Sequence, residues 1–266
     1  MISYNTNSEA YIGTIIEILE RPDFRSNPRG FPVLEKMDYS FRVLQPNSSP
    51  IVTKDTDRNE IIRSYTQKEM ELYNSGTNSV EAFCEASKYW AKLANPDSTV
   101  NSAYGHLIWK KESCGSRFEM YKEAVIGQFE DGESGLFVVD SARMRTPWDW
   151  AKQCLLSDKD TRQAILRFSL PEHQWVGNKD QVCTLHGNFL IRDDKLHLSM
   201  VMRSNDMMLG LVYDLPWFCS LMDKMIEELK PTYPNLTKGF YTHTVHSIHI
   251  YERDLEKVRK MIGYDK

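Results

Sequence analysis

The strongest constraint on how this 266-residue chain folds is a change of hydrophobic period near residue 204. Leu196, Leu198, Met200 and Met202 alternate with His197, Ser199, Val201 and Arg203, the period of two of a half-buried strand. From Asn205 the sequence then stays strongly apolar to Leu229, too long for a strand and read as a buried helix. Residues 188–191, ahead of the turn Arg192-Asp193-Asp194-Lys195, supply the other arm of a hairpin. A one-faced strand leading into a helix of this kind calls for a sheet with helices packed on it.

The flanking segments fit that plan. Tyr11, Ile12, Ile15, Ile16 and Leu19 recur at helical spacing. Residues 25–30 read as a loop, strand-like residues run on to Leu44, and residues 47–50 close that unit. A helix is expected over 61–73. Gly76 and Asn78 break the chain, and Asn78 with Glu81 resembles a capping box for a helix through Ala94. Residues 117–128 look helical and 136–139 look like a short strand, while Thr146-Pro147 would start a helix through Leu155. Strands are expected from Gln163, a strand over 241–251 and a closing helix over 254–261. No repeat, low-complexity tract or linker divides the chain, so one domain over 1–266 is expected, of class α+β and not a βαβ alternation.

Composition excludes several classes. With 33 Lys plus Arg against 37 Asp plus Glu, the net charge of -4 offers no basic surface for nucleic acid. No apolar stretch approaches the roughly 18 residues of a membrane span, and Met1-Ile2-Ser3-Tyr4-Asn5 lacks a signal-peptide pattern. Five cysteines, at 84, 114, 154, 183 and 219, have no metal or redox spacing. Their dispersal suits a reducing cytoplasm, and no metal is expected.

A few residues stand out against this background. Cys183 enters a strand, where a buried inert cysteine is the default and a nucleophile the alternative. His186, three residues on, would face the opposite side, so a Cys-His pair is disfavoured. Arg203-Ser204-Asn205-Asp206 reads either as a helix cap with a surface arginine or as an anion site built from a guanidinium, a hydroxyl and helix-start amides. Asp214 lies within Leu209-Gly210-Leu211-Val212-Tyr213-Asp214-Leu215-Pro216-Trp217. An unpaired carboxylate there costs several kcal/mol, so it needs a partner. His249 and Tyr251, on one strand face, are core residues or hydroxyl binders. Glu69 and Glu71 sit on the 61–73 helix, where most glutamates are merely solvated.

Taken in order, these pieces resemble the thymidylate synthase family, and within it the deoxycytidylate hydroxymethylases of T-even phages. Glu69-Met70-Glu71-Leu72-Tyr73 with Gly76-Thr77-Asn78 resembles the family's Glu-Leu-x-Trp-Phe helix and its Gly-Asp-Thr-Asn turn. Trp90 and Asn101-Ser102-Ala103-Tyr104-Gly105 follow, the latter in hydroxymethylase wording. Asp160-Thr161-Arg162 is similar to the Asp-Ser-Arg-Arg loop, and Cys183 with Asn188-Phe189 to the nucleophile and its Gln-Phe. Met202-Arg203-Ser204-Asn205-Asp206, Asp214 and His249-Ile250-Tyr251 complete the series. The departures are Gln163 in place of the loop's second arginine, Thr184 in place of the usual His, and no Pro pair before Cys183. The apolar C-terminal tail is missing as well. The N-terminal Arg-Thr-Gly is only faintly echoed by Pro28-Arg29-Gly30, leaving Arg25 or Arg29 for its role.

The resemblance implies a large mixed β-sheet flanked by helices and a homodimer through the sheet face. It implies one-carbon transfer from 5,10-methylenetetrahydrofolate to carbon 5 of a pyrimidine nucleotide, through a covalent adduct of Cys183 with Glu69 and Tyr104 moving protons. Asp214 and Asn188 would read the base, and Arg203, Ser204, Arg29 and a neighbour's Arg162 would hold the phosphate. His249 and Tyr251 would hold the sugar, and Trp90 and Asp206 the folate. Synthases acting on dUMP carry Asn where this chain has Asp214, and the cytidylate enzymes carry Asp, which favours hydroxymethylation of dCMP. Methylation of dUMP or dCMP, hydroxymethylation of CMP, and a catalytically silent nucleotide or RNA binder remain as rivals. An unrelated cysteine hydrolase ranks last, for want of a suitably placed His.

Overall fold

A computed structural model describes residues 1–110 and 146–264. In chain order it contains β1 (Ile2–Tyr4), α1 (Asn7–Glu20), β2 (Phe24–Ser26), β3 (Val33–Val43), α2 (Thr56–Ser75), α3 (Val80–Ala86) and α4 (Tyr104–Trp109). After the undescribed stretch come α5 (Pro147–Ser157), β4 (Ile165–Arg167), β5 (Thr184–Arg192), β6 (Lys195–Met202) and β7 (Asn205–Asp206). The chain then runs through α6 (Val212–Leu229), β8 (Thr237–Tyr251) and α7 (Leu255–Ile262). The helix expected over 117–128 and the strand over 136–139 lie outside the described residues.

The described strands make one mixed sheet in the order β1-β3-β8-β6-β5-β4, with β2 added to β3 and β7 to β8. β5 and β6 form the expected hairpin. Asp193 and Asp194 turn it at φ of 49° and 55°, the left-handed conformation that matches strand twist and that Asp tolerates. Leu196, Leu198, Met200 and Met202 all point into the core, as their alternation predicts. β6 runs parallel to β8 and β3 antiparallel to it. α1 and α6 pack on the face carrying Phe41, Met200 and His243. β8 therefore presents Tyr241, His243 and Val245 to the helix side, and beyond the exposed His246 the fully buried residues are Ile248 and Ile250.

Local chemistry explains the helices. Asp55 caps α2 by accepting from Arg58 N at 3.2 Å, and Gly76 ends it at φ 71°. α2 thus starts five residues before the apolar pattern, because its first turn is polar and held by the cap. Its buried stripe is Ile62, Thr66, Glu69 and Tyr73, so a glutamate occupies a core position. Thr146 caps α5 as expected, accepting from Asp149 N at 3.2 Å. The apolar run after residue 205 opens as one wide π turn over Met207–Leu211 before α6 begins.

Two expectations need correction. The single helix from Asn78 through Ala94 is instead α3 and a separate 3-10 turn, Lys88–Lys92, because Ser87 is extended at φ -156° and its hydroxyl accepts from Tyr89 N. The loop over 25–30 holds the end of β2, paired with β3, and a 3-10 turn at Pro28–Gly30. β1, parallel to β3, was not anticipated either. Strands of three residues carry too little periodicity to be seen without their partner.

Candidate active site

Cys183 is held where the segment before β5 meets the end of β6. Its carbonyl accepts from Arg203 N at 2.9 Å. The Arg203 guanidinium reaches Val182 O at 3.0 Å, Gln181 O at 2.5 Å and Cys183 Sγ at 3.5 Å. Arg203 is therefore tied to the segment that carries Cys183, and the surface ion-pair reading is corrected. Burial pushes the Cys183 thiol up to about 11, with Arg203 and then Arg29 pulling against it. Asp180 locks a second segment to this one. Its carboxylate accepts from Ser102 N at 2.7 Å and Ser102 Oγ at 2.5 Å, and its carbonyl accepts from Asn101 Nδ2 at 3.0 Å. That clamp brings Tyr104, at the start of α4, beside Cys183, whose charge raises the Tyr104 hydroxyl after burial and Asp214 do so.

Two buried carboxyls line the same space. Burial raises Glu69 to about 8, and the charge of Asp214 adds to this, while Tyr65 and Tyr73 pull it down. Burial raises Asp214 to about 7, partly offset by a hydrogen bond from Asn205. Asp214 also bears electrostatically on Tyr73, Tyr104, Cys183 and Tyr241. It is the common neighbour of Cys183, Glu69 and the tyrosines around them. Behind it, Asn205 Nδ2 lies 2.9 Å from Met202 Sδ and 3.4 Å from His243 Nε2, and His243 Nδ1 lies 2.8 Å from Tyr241 OH. Gly210 is needed here, since a Cβ would stand 2.3 Å from Asn205 Oδ1 and 3.3 Å from Asp214 Oδ2.

The other expected residues divide. Asp206 pairs in register with His249, and the rings of His249 and Tyr251 meet edge-on at 5.1 Å. Asp206 itself caps the π turn, accepting from Met208 N at 2.8 Å, so the cap expected of Ser204 or Asn205 belongs to Asp206. Ser204 is half-buried between Arg203 and that cap. Trp90 is buried and donates from Nε1 to Tyr65 OH at 3.0 Å. Arg29 is exposed at φ 55°, yet its charge is felt at Cys183 and Tyr251. Arg25 instead pairs with Glu252 at 3.8 Å, so Arg29 is the arginine on the site's side.

Two expected residues are not brought to this cleft within one chain. Asn188 pairs with Ser199 on the sheet face opposite Phe189 and Met200, because the buried residues of β5 on either side of it, Gly187 and Phe189, take the core face; this corrects its assignment to the base. Arg162 is exposed, in the turn before β4. Glu71 is exposed and bonded to Gln67, as most helical glutamates are. Tyr65 and Asp180 were missed. Of these, only Tyr65, four residues before Glu69 on one helix, carried a usable signal.

The thymidylate synthase family pattern matches residues 9–265. The chain belongs to the thymidylate synthase family. It is therefore a one-carbon transferase, of a family that uses methylenetetrahydrofolate as co-substrate. The deoxycytidylate 5-hydroxymethyltransferase of Enterobacteria phage T6 is 28% identical over 196 residues, 71% of this chain and 67% of that protein. The deoxyuridylate hydroxymethyltransferase of Bacillus phage SP01 is 31% identical over 115 residues, 40% of this chain and 29% of that protein. The fold of this thymidylate synthase family member aligns with thermostable thymidylate synthase A from Bacillus subtilis at a TM-score of 0.65. That match has 19% identity and covers 97% of this chain and 84% of the other.

Proposed function

We propose that this protein hydroxymethylates deoxycytidylate, using methylenetetrahydrofolate as the source of the carbon. The observation that carries the reading is Asp214, a buried carboxyl beside Cys183 that burial raises to about 7. Cytosine offers an amino donor and an acceptor ring nitrogen. A carboxyl that accepts at one oxygen and donates at the other satisfies both, whereas uracil suits the amide of an Asn. A wrong pairing leaves buried polar groups unsatisfied at about 1–3 kcal/mol each. The likeness to the T6 enzyme supports this choice, and the SP01 relative keeps uracil as the rival base.

In this reading Cys183 Sγ adds to carbon 6 of the base, which makes carbon 5 nucleophilic, and later leaves. Arg203, 3.5 Å from the sulfur, stabilises the thiolate as it forms. Tyr104 relays the proton lost from carbon 5, its oxygen accepting that proton as its own hydroxyl proton passes on to water. Glu69 orients the water that completes the hydroxymethyl group and relays its proton. Arg203, Ser204, Arg29 and Arg162 of the partner subunit hold the phosphate, which makes the working unit a homodimer. His249 and Tyr251 hold the sugar. Methylenetetrahydrofolate supplies the one-carbon unit when bound. Trp90 offers it a flat ring, and Asp206, raised by burial beside His249, offers a carboxyl for its amino groups.

Tritium release from carbon 5 of labelled dCMP and dUMP, with dihydrofolate absorbance followed in parallel, tests the reading. Folate-dependent release from dCMP without dihydrofolate is expected. Dihydrofolate formation would make the enzyme a methylase, and release only from CMP would move the substrate to the ribonucleotide.

A further inference from the structure

A short aromatic chain ends on Glu69, and the chemistry above leaves it without a role. Tyr65 stands one turn before Glu69 on α2 and donates its hydroxyl to Glu69 Oε1 at 3.1 Å. The same hydroxyl oxygen accepts from Trp90 Nε1 at 3.0 Å. An indole N–H only donates, and a tyrosine has one hydrogen to give. With Trp90 donating to its oxygen, Tyr65 keeps its one hydrogen for Glu69 Oε1. The chain therefore runs one way, from Trp90 through Tyr65 to Glu69. Both rings are held by neighbours, Tyr65 against Tyr213 at 4.5 Å and Trp90 against Phe83 at 4.6 Å between centroids.

We propose that Tyr65 is a positioning residue for Glu69: by claiming Oε1 as an acceptor it assigns the mobile proton to Oε2, and Trp90 fixes Tyr65 in that role. The inference rests on the reading of Glu69 as the proton relay. It also links the residue placed against the folate to the residue placed against the water. A ring pressed on Trp90 acts on the proton of Glu69 through two hydrogen bonds.

The groups facing Glu69 are Tyr65 and Tyr73 from α2 itself, Asp214 and Tyr213 from α6, and Trp90 behind Tyr65. Arg58, in the first turn of α2, reaches Tyr213 OH at 3.2 Å. Asp214 and burial disfavour the ionised form of Glu69. Tyr65 and then Tyr73 oppose them, because a donated hydrogen bond favours the carboxylate.

The test is the pH profile of folate-dependent tritium release from carbon-5-labelled dCMP, for the wild type, Glu69→Gln, Tyr65→Phe, Trp90→Phe and the double variant. The limb that disappears in Glu69→Gln should move to higher pH in Tyr65→Phe, by about one unit for the loss of one bond to a charged group. Trp90→Phe should move it the same way by less, and the double variant no further than Tyr65→Phe alone. An unmoved limb in Tyr65→Phe, or in Trp90→Phe should Tyr65→Phe not fold, overturns the proposal. So does a double variant whose shift is the sum of the two singles. Wild-type release by Glu69→Gln would overturn the reading of Glu69 itself and this inference with it.

Discussion

At the scale of single residues, the site is defined by groups whose ionised form is disfavoured by burial. Cys183, Glu69 and Asp214 are all raised, and burial is the first cause each time. Arg203 is the largest opposing influence on Cys183. Its replacement by Ala leaves less thiolate at any pH, so iodoacetamide should label Cys183 several-fold more slowly in Arg203→Ala, read by mass spectrometry. Glu69 has a linked effect on stability. Its carboxyl is near 8 when folded and near its ordinary value when unfolded, so the native state binds the extra proton between about pH 4.5 and 8. Stability from this group is therefore full at the acid end and lost as pH rises through 8. Glu69→Gln removes that loss, and denaturant titrations should find it more stable than wild type at pH 8 by about 1–3 kcal/mol, with the gap closing toward pH 4.5.

At the scale of elements, the site depends on close approaches between segments distant in sequence. α4 meets the end of α2 at Gly105, where a Cβ would stand 1.7 Å from Tyr73 O. Gly105→Ala must part the two helices, and we expect a loss of about 2–4 kcal/mol, checked by chemical denaturation, with tritium release reduced as Tyr104 shifts. The hairpin of β5 and β6, the core face of β6, the caps of α5 and the burial of α6 were all legible, because each is written in a local period or a cap residue. Cys183, Asp214, Glu69 and Arg203 were legible as motif residues. The Asp180–Ser102 clamp and the His243–Asn205–Asp214 chain were not, because they join residues tens of positions apart that carry no periodic signal. Asn188 shows the opposite failure. Its spacing from Cys183 matched a motif, but the alternation of β5 turns it to the far face.

At the scale of the whole molecule, the site of one chain gathers Cys183, the carboxyls of Glu69 and Asp214, the pair His249 and Tyr251, and the arginines Arg203 and Arg29, while the exposed Arg162 stays apart from it. If each site borrows Arg162 from its neighbour, mixing inactive Cys183→Ala with weak Arg162→Ala subunits rebuilds one intact site in each mixed dimer. About a quarter of wild-type activity should then return, measured by tritium release after refolding the mixture; no recovery would confine Arg162 to its own chain or to no role. The central claim, that Asp214 reads cytosine for a one-carbon transfer, is met most directly by kcat/KM for dCMP against dUMP in wild type and Asp214→Asn. We expect wild type to favour dCMP by at least about 100-fold and the variant to invert that preference, as the carboxyl's acceptor gives way to an amide donor. A wild type that favours dUMP, or an Asp214→Asn enzyme that still prefers dCMP, would contradict the account.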